Sequence, residues 1–496
     1  MSTLPRARSR SRGARVFLLC AVALVVSACV TQADVPTNQP YRLPIPPVLQ
    51  PTRSDASGDY YTMVQKPGLQ QVASSLPPTP IEGYEGMWPG PTIVARRGRP
   101  VVVTQVNQLD HTTTTHNHGH KVEAASDGHP ANFLMPGASR DYHYPNDQPA
   151  GTYWLHDHVM NDTQRNVLRG LSSFYIIKDD EWDSLNLPSG EFDVPLLIQD
   201  RWMNGDGTLR QGKSIGDIAV VNGVETPRME VAARKYLFRL LNASSDRSYI
   251  FEFQADNPDE GRDAPRETMA VVASDGGLLE HPVLKQQIQV SPAERYAVVV
   301  DFSKFPVGTT VTMRNRLPIP PQFTTSTGAP RLLIPDIMTF VVTRKATDDT
   351  GPIPQNLRTI EHFDPAKADV SRSVVFSDVV SADPDFPIHE INGKEFDPGR
   401  IDFHGKLGQT EIWTVDNETA IGHILHVHLV QFQVIESDDA PPPPEMAGWK
   451  DSIFIASRTR AKIMLRWEGF TGVYVFHCHY LEHEDHGMMA QVEVSQ

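Results

Sequence analysis

From residue 56 onward the chain reads as short extended segments and little else. Val101-Val102-Val103-Thr104-Gln105-Val106, Tyr236-Leu237-Phe238-Arg239-Leu240-Leu241 and Tyr296-Ala297-Val298-Val299-Val300 are runs of β-branched, aromatic and aliphatic residues. Such runs suit a pleated, half-buried surface. Turns bearing Asp, Gly and Pro separate them at short intervals, and no long segment carries the 3.6-residue period of an amphipathic helix. The 41 prolines and 33 glycines fit that number of turns. The pattern predicts an all-β chain of sandwiches or barrels. Single cores stop growing at roughly 250–300 residues, so a chain of 496 residues must divide. The spacing predicts three units, at 56–185, 186–345 and 355–496. No short tandem repeat is visible, and Pro441–Pro444 is expected to be a rigid surface loop.

The N-terminus has a different character. Arg6, Arg8, Arg10, Arg12 and Arg15 precede the apolar run Val16–Val26, which is short for a membrane span. Residues 1–28 therefore read as a signal peptide. Val26-Ser27-Ala28-Cys29 is similar to a bacterial lipobox, which would leave a lipid anchor on Cys29; the alternative is ordinary cleavage after Ala33. Residues 29–55 are Pro-rich and predict an extended tether. The expected location is outside the cytoplasm: the cell envelope if lipid-anchored, otherwise the periplasm or the exterior.

Loss of residues 1–28 removes five arginines and no acid, taking the net charge from −15 to −20. An acidic body of this kind excludes nucleic acid and anionic lipid as partners. Its mean hydropathy of −0.34 argues against several membrane spans. Cys20 and Cys29 lie in the N-terminal segment, so Cys478 is the single cysteine of the expected folded body. It is either a small buried hydrophobe or a functional thiol.

Ten of the 19 histidines fall in four tight clusters: His116-Asn117-His118, His156-Asp157-His158, His423-Ile424-Leu425-His426-Val427-His428, and His477-Cys478-His479 followed by His483 and Met488. On a strand, residues i and i+2 share a face. His156 and His158 then project together, as do His426 and His428, and His477 and His479. Cys478 and His423 take the opposite parity. Two metal sites joined through the backbone at Cys478 follow. One thiolate, two imidazoles and a weak thioether, supplied by Cys478, His423, His483 and Met488, make a blue-copper set. A lone His-x-His pair is weak; four clusters with the sole internal cysteine inside one are not. His111, His120, His129, His143, His281, His362, His389, His404 and His486 read as surface or packing residues.

The clusters, here HNHG, HDH, HILHVH and HCHYLEHEDHGM, resemble the four copper-binding motifs of multicopper oxidases. The resemblance extends to Pro89-Gly90-Pro91-Thr92-Ile93, Ser126-Asp127-Gly128-His129-Pro130, Ser291-Pro292-Ala293-Glu294-Arg295-Tyr296 and Gly448-Trp449-Lys450-Asp451. It is nearest to the bacterial spore-coat laccase and bilirubin oxidase branch. It implies three cupredoxin-like Greek-key domains and four copper ions. The type-1 ion would sit on His423, Cys478, His483 and Met488, and the type-2 ion on His116 and His426. The type-3 pair would sit on His118, His156 and His479, and on His158, His428 and His477. It further implies Glu484 and Asp127 as proton-handling carboxylates and His483 as the point where electrons enter. Two positions depart from the family pattern: Asn117 stands in place of an apolar or aromatic residue, and Ile424 in place of proline.

The implied activity is a laccase-like oxidase. Small aromatic reductants (phenols, aromatic amines or tetrapyrroles) would give single electrons, and O2 would be reduced to water by a monomeric chain. A metal-ion oxidase acting on Cu(I), Mn(II) or Fe(II) is the alternative, and a non-catalytic envelope protein is a third reading. The 14 methionines are scattered, with only Met488 and Met489 adjoining in the site region. This favours organic donors over Cu(I).

Overall fold

The computed structural model describes residues 41–210, 215–256, 265–317, 334–348, 351–379 and 388–496. The signal peptide, Cys29, Ala33 and the first part of the Pro-rich stretch lie outside the described residues. Among the described residues, the α-helices are the short Thr163–Arg169, Asp180–Ser184 and Leu481–Asp485. The rest is strand, turn and loop, as the runs of β-branched residues require.

Strands form three two-sheet units, each with its own hydrophobic core. In the first, the sheet containing Gly58–Gln70, Val101–Asn107 and Ser139–Tyr144 is partnered by one containing Thr115–His118, Gly151–Asp157 and Ser172–Lys178. In the third, Val370–Val379, Thr410–Asn417 and Arg460–Arg466 belong to one sheet. His423–Val427, Gly472–Cys478 and Met489–Ser495 belong to the other. The middle unit pairs a seven-stranded sheet with a five-stranded one. All-β sandwiches of cupredoxin type are thus what the chain forms.

A repeat invisible in the sequence appears here. In each unit a core strand pairs in parallel with the unit's leading long strand: Val101–Asn107 with Gly58–Gln70, Lys235–Asn242 with Asp193–Arg201, and Thr410–Asn417 with Val370–Val379. Each such strand ends in a buried asparagine that ties the following turn. Asn107 Oδ1 accepts from Leu109 N, Asn242 Oδ1 from Ser244 N, and Asn417 Oδ1 from Thr419 N. Each Nδ2 donates to carbonyls a few residues on, at His111, Arg247 and Ile421 respectively. A carboxamide offers both a donor and an acceptor, so one side chain satisfies both senses of a buried turn.

The expected tether differs from the structure in its described part. Residues 41–55 are docked on the body. Leu43 N donates to Arg228 O and Leu49 N to Thr92 O, both at 2.8 Å, and Arg53–Asp55 pairs with Gly58–Gln70. Leu43 is buried in the middle unit's core. Its side chain gains burial, and the Pro-rich segment, already extended, loses little freedom on docking.

Candidate metal centre

Register brings the histidines together. Thr115–His118 runs antiparallel to Gly151–Asp157 with His116 opposite His156. In the third unit His423–Val427 runs antiparallel to Gly472–Cys478, with His426 opposite His477 and Leu425 opposite Cys478. The two units meet along these strands. His116 stacks on His428 at 3.9 Å between ring centroids, and His118 on His426 at 3.7 Å. All eight histidines of this cluster are buried.

One nitrogen of most rings is committed to the protein. His116 Nδ1 donates to Asp127 O at 2.6 Å, His156 Nδ1 to Asp157 O at 2.8 Å, and His426 Nδ1 to Asp451 O at 2.8 Å. His428 Nδ1 donates to Asp127 Oδ2 at 2.8 Å, and His477 Nδ1 to Cys478 O at 3.0 Å. The opposite nitrogens are left bare. Nε2 of His116, His156 and His426, Nδ1 of His118 and both ring nitrogens of His479 are buried without a hydrogen-bond partner among the described residues. His477 Nε2 lies 3.1 Å from His158 Nε2 and 3.3 Å from His428 Nε2. Each unsatisfied buried polar atom costs about 1–3 kcal/mol, and a cluster of such nitrogens pointing inward fits bound metal cations.

The second set lies on the other side of the Gly472–Cys478 strand. Cys478 Sγ is 3.5 Å from His423 Nδ1 and 3.7 Å from His483 Nδ1, and the two nitrogens are 3.0 Å apart. His423 Nε2 donates to Thr419 Oγ1 at 2.8 Å, which turns Nδ1 toward the sulfur. Thr419 is held by the Asn417 turn. Met488 is buried beside them; its carbonyl accepts from Cys478 N, and its own N–H donates to His483 O. Burial pushes the Cys478 thiol up to about 12, so a soft cation must displace its proton to bind. Neutral imidazoles with one thiolate fit copper.

Two family profiles, both described as multicopper oxidase, match residues 70–181 and 360–496. The chain is 36% identical over 469 residues to a bilirubin oxidase from Albifimbria verrucaria, covering 90% of this chain and 80% of that one. It is 34% identical over 525 residues to a laccase from Bacillus stratosphericus, covering 92% and 98%. A multicopper oxidase structure from Pediococcus acidilactici superposes with a TM-score of 0.80 at 30% identity, covering 92% of each chain. The chain belongs to the multicopper oxidase family. It is an oxidoreductase that binds copper.

The oxidase places both expected carboxylates against the histidine cluster. Asp127 holds His428 through its side chain and His116 through its carbonyl. Burial raises its carboxyl to about 7, with His158 pulling the other way. Glu484 Oε1 lies 2.9 Å from His158 Nδ1, and Oε2 3.2 Å from His477 Nδ1. Burial alone would raise Glu484, but these imidazoles outweigh it and hold the group down to about 2. Among His423, Cys478, His483 and Met488, only His483 retains measurable exposure, at 6%. Asn117 is buried with neither side-chain polar atom partnered among the described residues, and Ile424 is fully buried.

The middle unit, which contributes no histidine to either set, reaches the centre by charge. Arg295 clasps Asp451 with two bonds of 2.6 Å, and Asp451 Oδ1 also accepts from His118 Nε2 at 3.0 Å. Lys450 Nζ lies 3.0 Å from both Asp275 and Glu294. The two family motifs around residues 291–296 and 448–451 thus meet as one buried lattice. Gly119, at φ +84°, lies against it: a Cβ there would fall 2.5 Å from Asp451 Oδ2 and 2.8 Å from Arg295 Nη2. The glycine of HNHG follows from that contact. His389, read from sequence as surface or packing, stacks on His483 at 4.0 Å and donates to Asp378 at 2.8 Å. Being isolated in the sequence, it carries no signal there.

Proposed function

We propose that this oxidase is laccase-like, taking single electrons from electron-rich aromatic donors and reducing O2 to water with four copper ions. The observation that carries the reading is the Cys478 junction. Its sulfur faces His423 and His483, while its chain neighbours His477 and His479 face the histidine cluster. The type-1 ion belongs on His423, Cys478, His483 and Met488, and the remaining three belong on the eight clustered histidines. Copper supplies the one-electron redox chemistry at both sets.

The protein's own residues do the rest. His483, buried but at 6% exposure the member of its set nearest the surface, is where a donor meets the chain. Covalent continuity from Cys478 to His477 and His479 gives the shortest route between the sets. Asp127 Oδ1, buried and unpartnered among the described residues, is placed to hold a proton, and Glu484 orients His158 and His477. The N-terminal segment is proposed as an export signal with Cys29 as the anchor, which N-terminal sequencing of the mature protein tests.

Oxygen uptake by copper-loaded protein with 2,6-dimethoxyphenol, an aromatic diamine and unsubstituted phenol tests the activity. Uptake with the first two, less with phenol and no peroxide released is expected. Indifference to all aromatic donors with rapid oxidation of Cu(I), Mn(II) or Fe(II) would assign the chain to metal-ion oxidation instead.

A further inference from the structure

A cleft of about 460 Å³ opens between the strands Gly58–Gln70 and Thr79–Tyr84, the helix Thr163–Arg169 and the turn at Thr208–Arg210. Its volume lies within the range of small-molecule sites. Ile81, only 2% exposed, lines it together with half-buried Leu168 and Leu209. Two guanidiniums, Arg165 and Arg210, stand on its wall.

Neither is held in a close ion pair, although Asp110 lies within electrostatic reach of Arg165 and Asp217 of Arg210. Arg169, one turn along the same helix from Arg165, is taken up by Glu82. Arg165 instead donates to the neutral Asn166 Oδ1 at 3.0 Å, and Arg210 lies over the Trp202 ring at 4.6 Å. Neither pairs with a carboxylate among the described residues. Two guanidiniums without a close carboxylate partner thus stand beside one apolar wall. A guanidinium presents a planar fork that matches a carboxylate, and the aliphatic lining suits a flat ring.

We propose that this cleft binds small aromatic carboxylates, with the ring on Ile81, Leu168 and Leu209 and the anion between Arg165 and Arg210. The site is separate from the copper ligands and does not rest on the laccase-like reading. It adjoins them mechanically. Thr163 N and Gln164 N, on the helix that forms its wall, donate to Asp485 at 2.9 Å each, and Asp485 ends the helix that carries His483.

Isothermal titration of the copper-loaded full chain with 2-naphthoate tests the proposal. That ligand has no hydroxyl or amino group for an oxidase to attack, so binding is read independently of activity. One naphthoate per chain is expected, with neutral 2-naphthamide at least tenfold weaker. Arg165→Gln with Arg210→Gln should weaken naphthoate at least tenfold, and Arg97→Gln, outside the cleft, should change nothing. Absence of naphthoate binding would overturn the proposal. So would equal binding of the amide, equal binding by the double variant, or inorganic phosphate binding as tightly as naphthoate.

Discussion

Arg295 of the middle unit and Asp451 of the third form a buried two-pronged ion pair, both bonds 2.6 Å, and the same carboxylate holds His118 of the first at 3.0 Å. Three units therefore converge on one side chain. Because His118 gives its Nε2–H to Asp451, its Nδ1 is the nitrogen left to bind metal.

Removing one partner of a buried pair strands the other charge and typically costs about 3–5 kcal/mol. Arg295→Met should lower the melting temperature and reduce copper retained after dialysis, since Asp451, which orients His118, loses its own anchor. Arg295→Lys keeps the charge but not the fork and should fall between. Calorimetry and metal analysis check both; full copper retention by Arg295→Met would separate the pair from the metal centre.

Glu484 touches Nδ1 of His158 and of His477, opposite the Nε2 atoms that face each other at 3.1 Å. Groups that orient metal-binding histidines typically contribute ~10–100-fold in affinity or activity. Glu484→Gln should weaken copper retention at the cluster by that order. It should also slow O2 consumption more than anaerobic reduction of the blue site. Equal slowing of both half-reactions would place Glu484 in donor binding instead.

The asparagine turns make a paired test. Asn417 anchors Thr419, which orients His423, whereas Asn107 anchors the turn from Leu109 to His111, whose bonds reach no ligand among the described residues. Leaving buried turn groups unsatisfied costs about 1–3 kcal/mol, so both Asn→Ala variants should lose stability. Only Asn417→Ala should shift the visible band or the potential of the blue site. A shift in both, or neither, would sever the link from Asn417 to His423.

Much of the centre was legible because a strand's period of two is strict. Parity alone separated Cys478 from His477 and His479, and the structure puts them on two sides of one strand. The Arg295–Asp451 clasp was not legible, because its partners lie 156 residues apart and a charged residue in a strand-rich sequence reads as surface. The asparagine repeat was hidden because only one residue recurs. Asn107, Asn242 and Asn417 are followed by Gln-Leu, Ala-Ser and Glu-Thr, different side chains on the same backbone turn. The docking of residues 41–55 depends on Leu43 finding a core built from residues far along the chain, and no local pattern encodes that.

The central claim is that one chain holds two copper sites of different chemistry joined at Cys478. Metal analysis with visible spectra of the wild type and Cys478→Ser tests it most directly. The account predicts about four coppers and an intense blue thiolate band in the wild type. It predicts about three coppers and no blue band in the variant, the histidine cluster remaining filled. A Cys478→Ser protein that stays blue, or a wild type whose copper is all lost with that one sulfur, would contradict it.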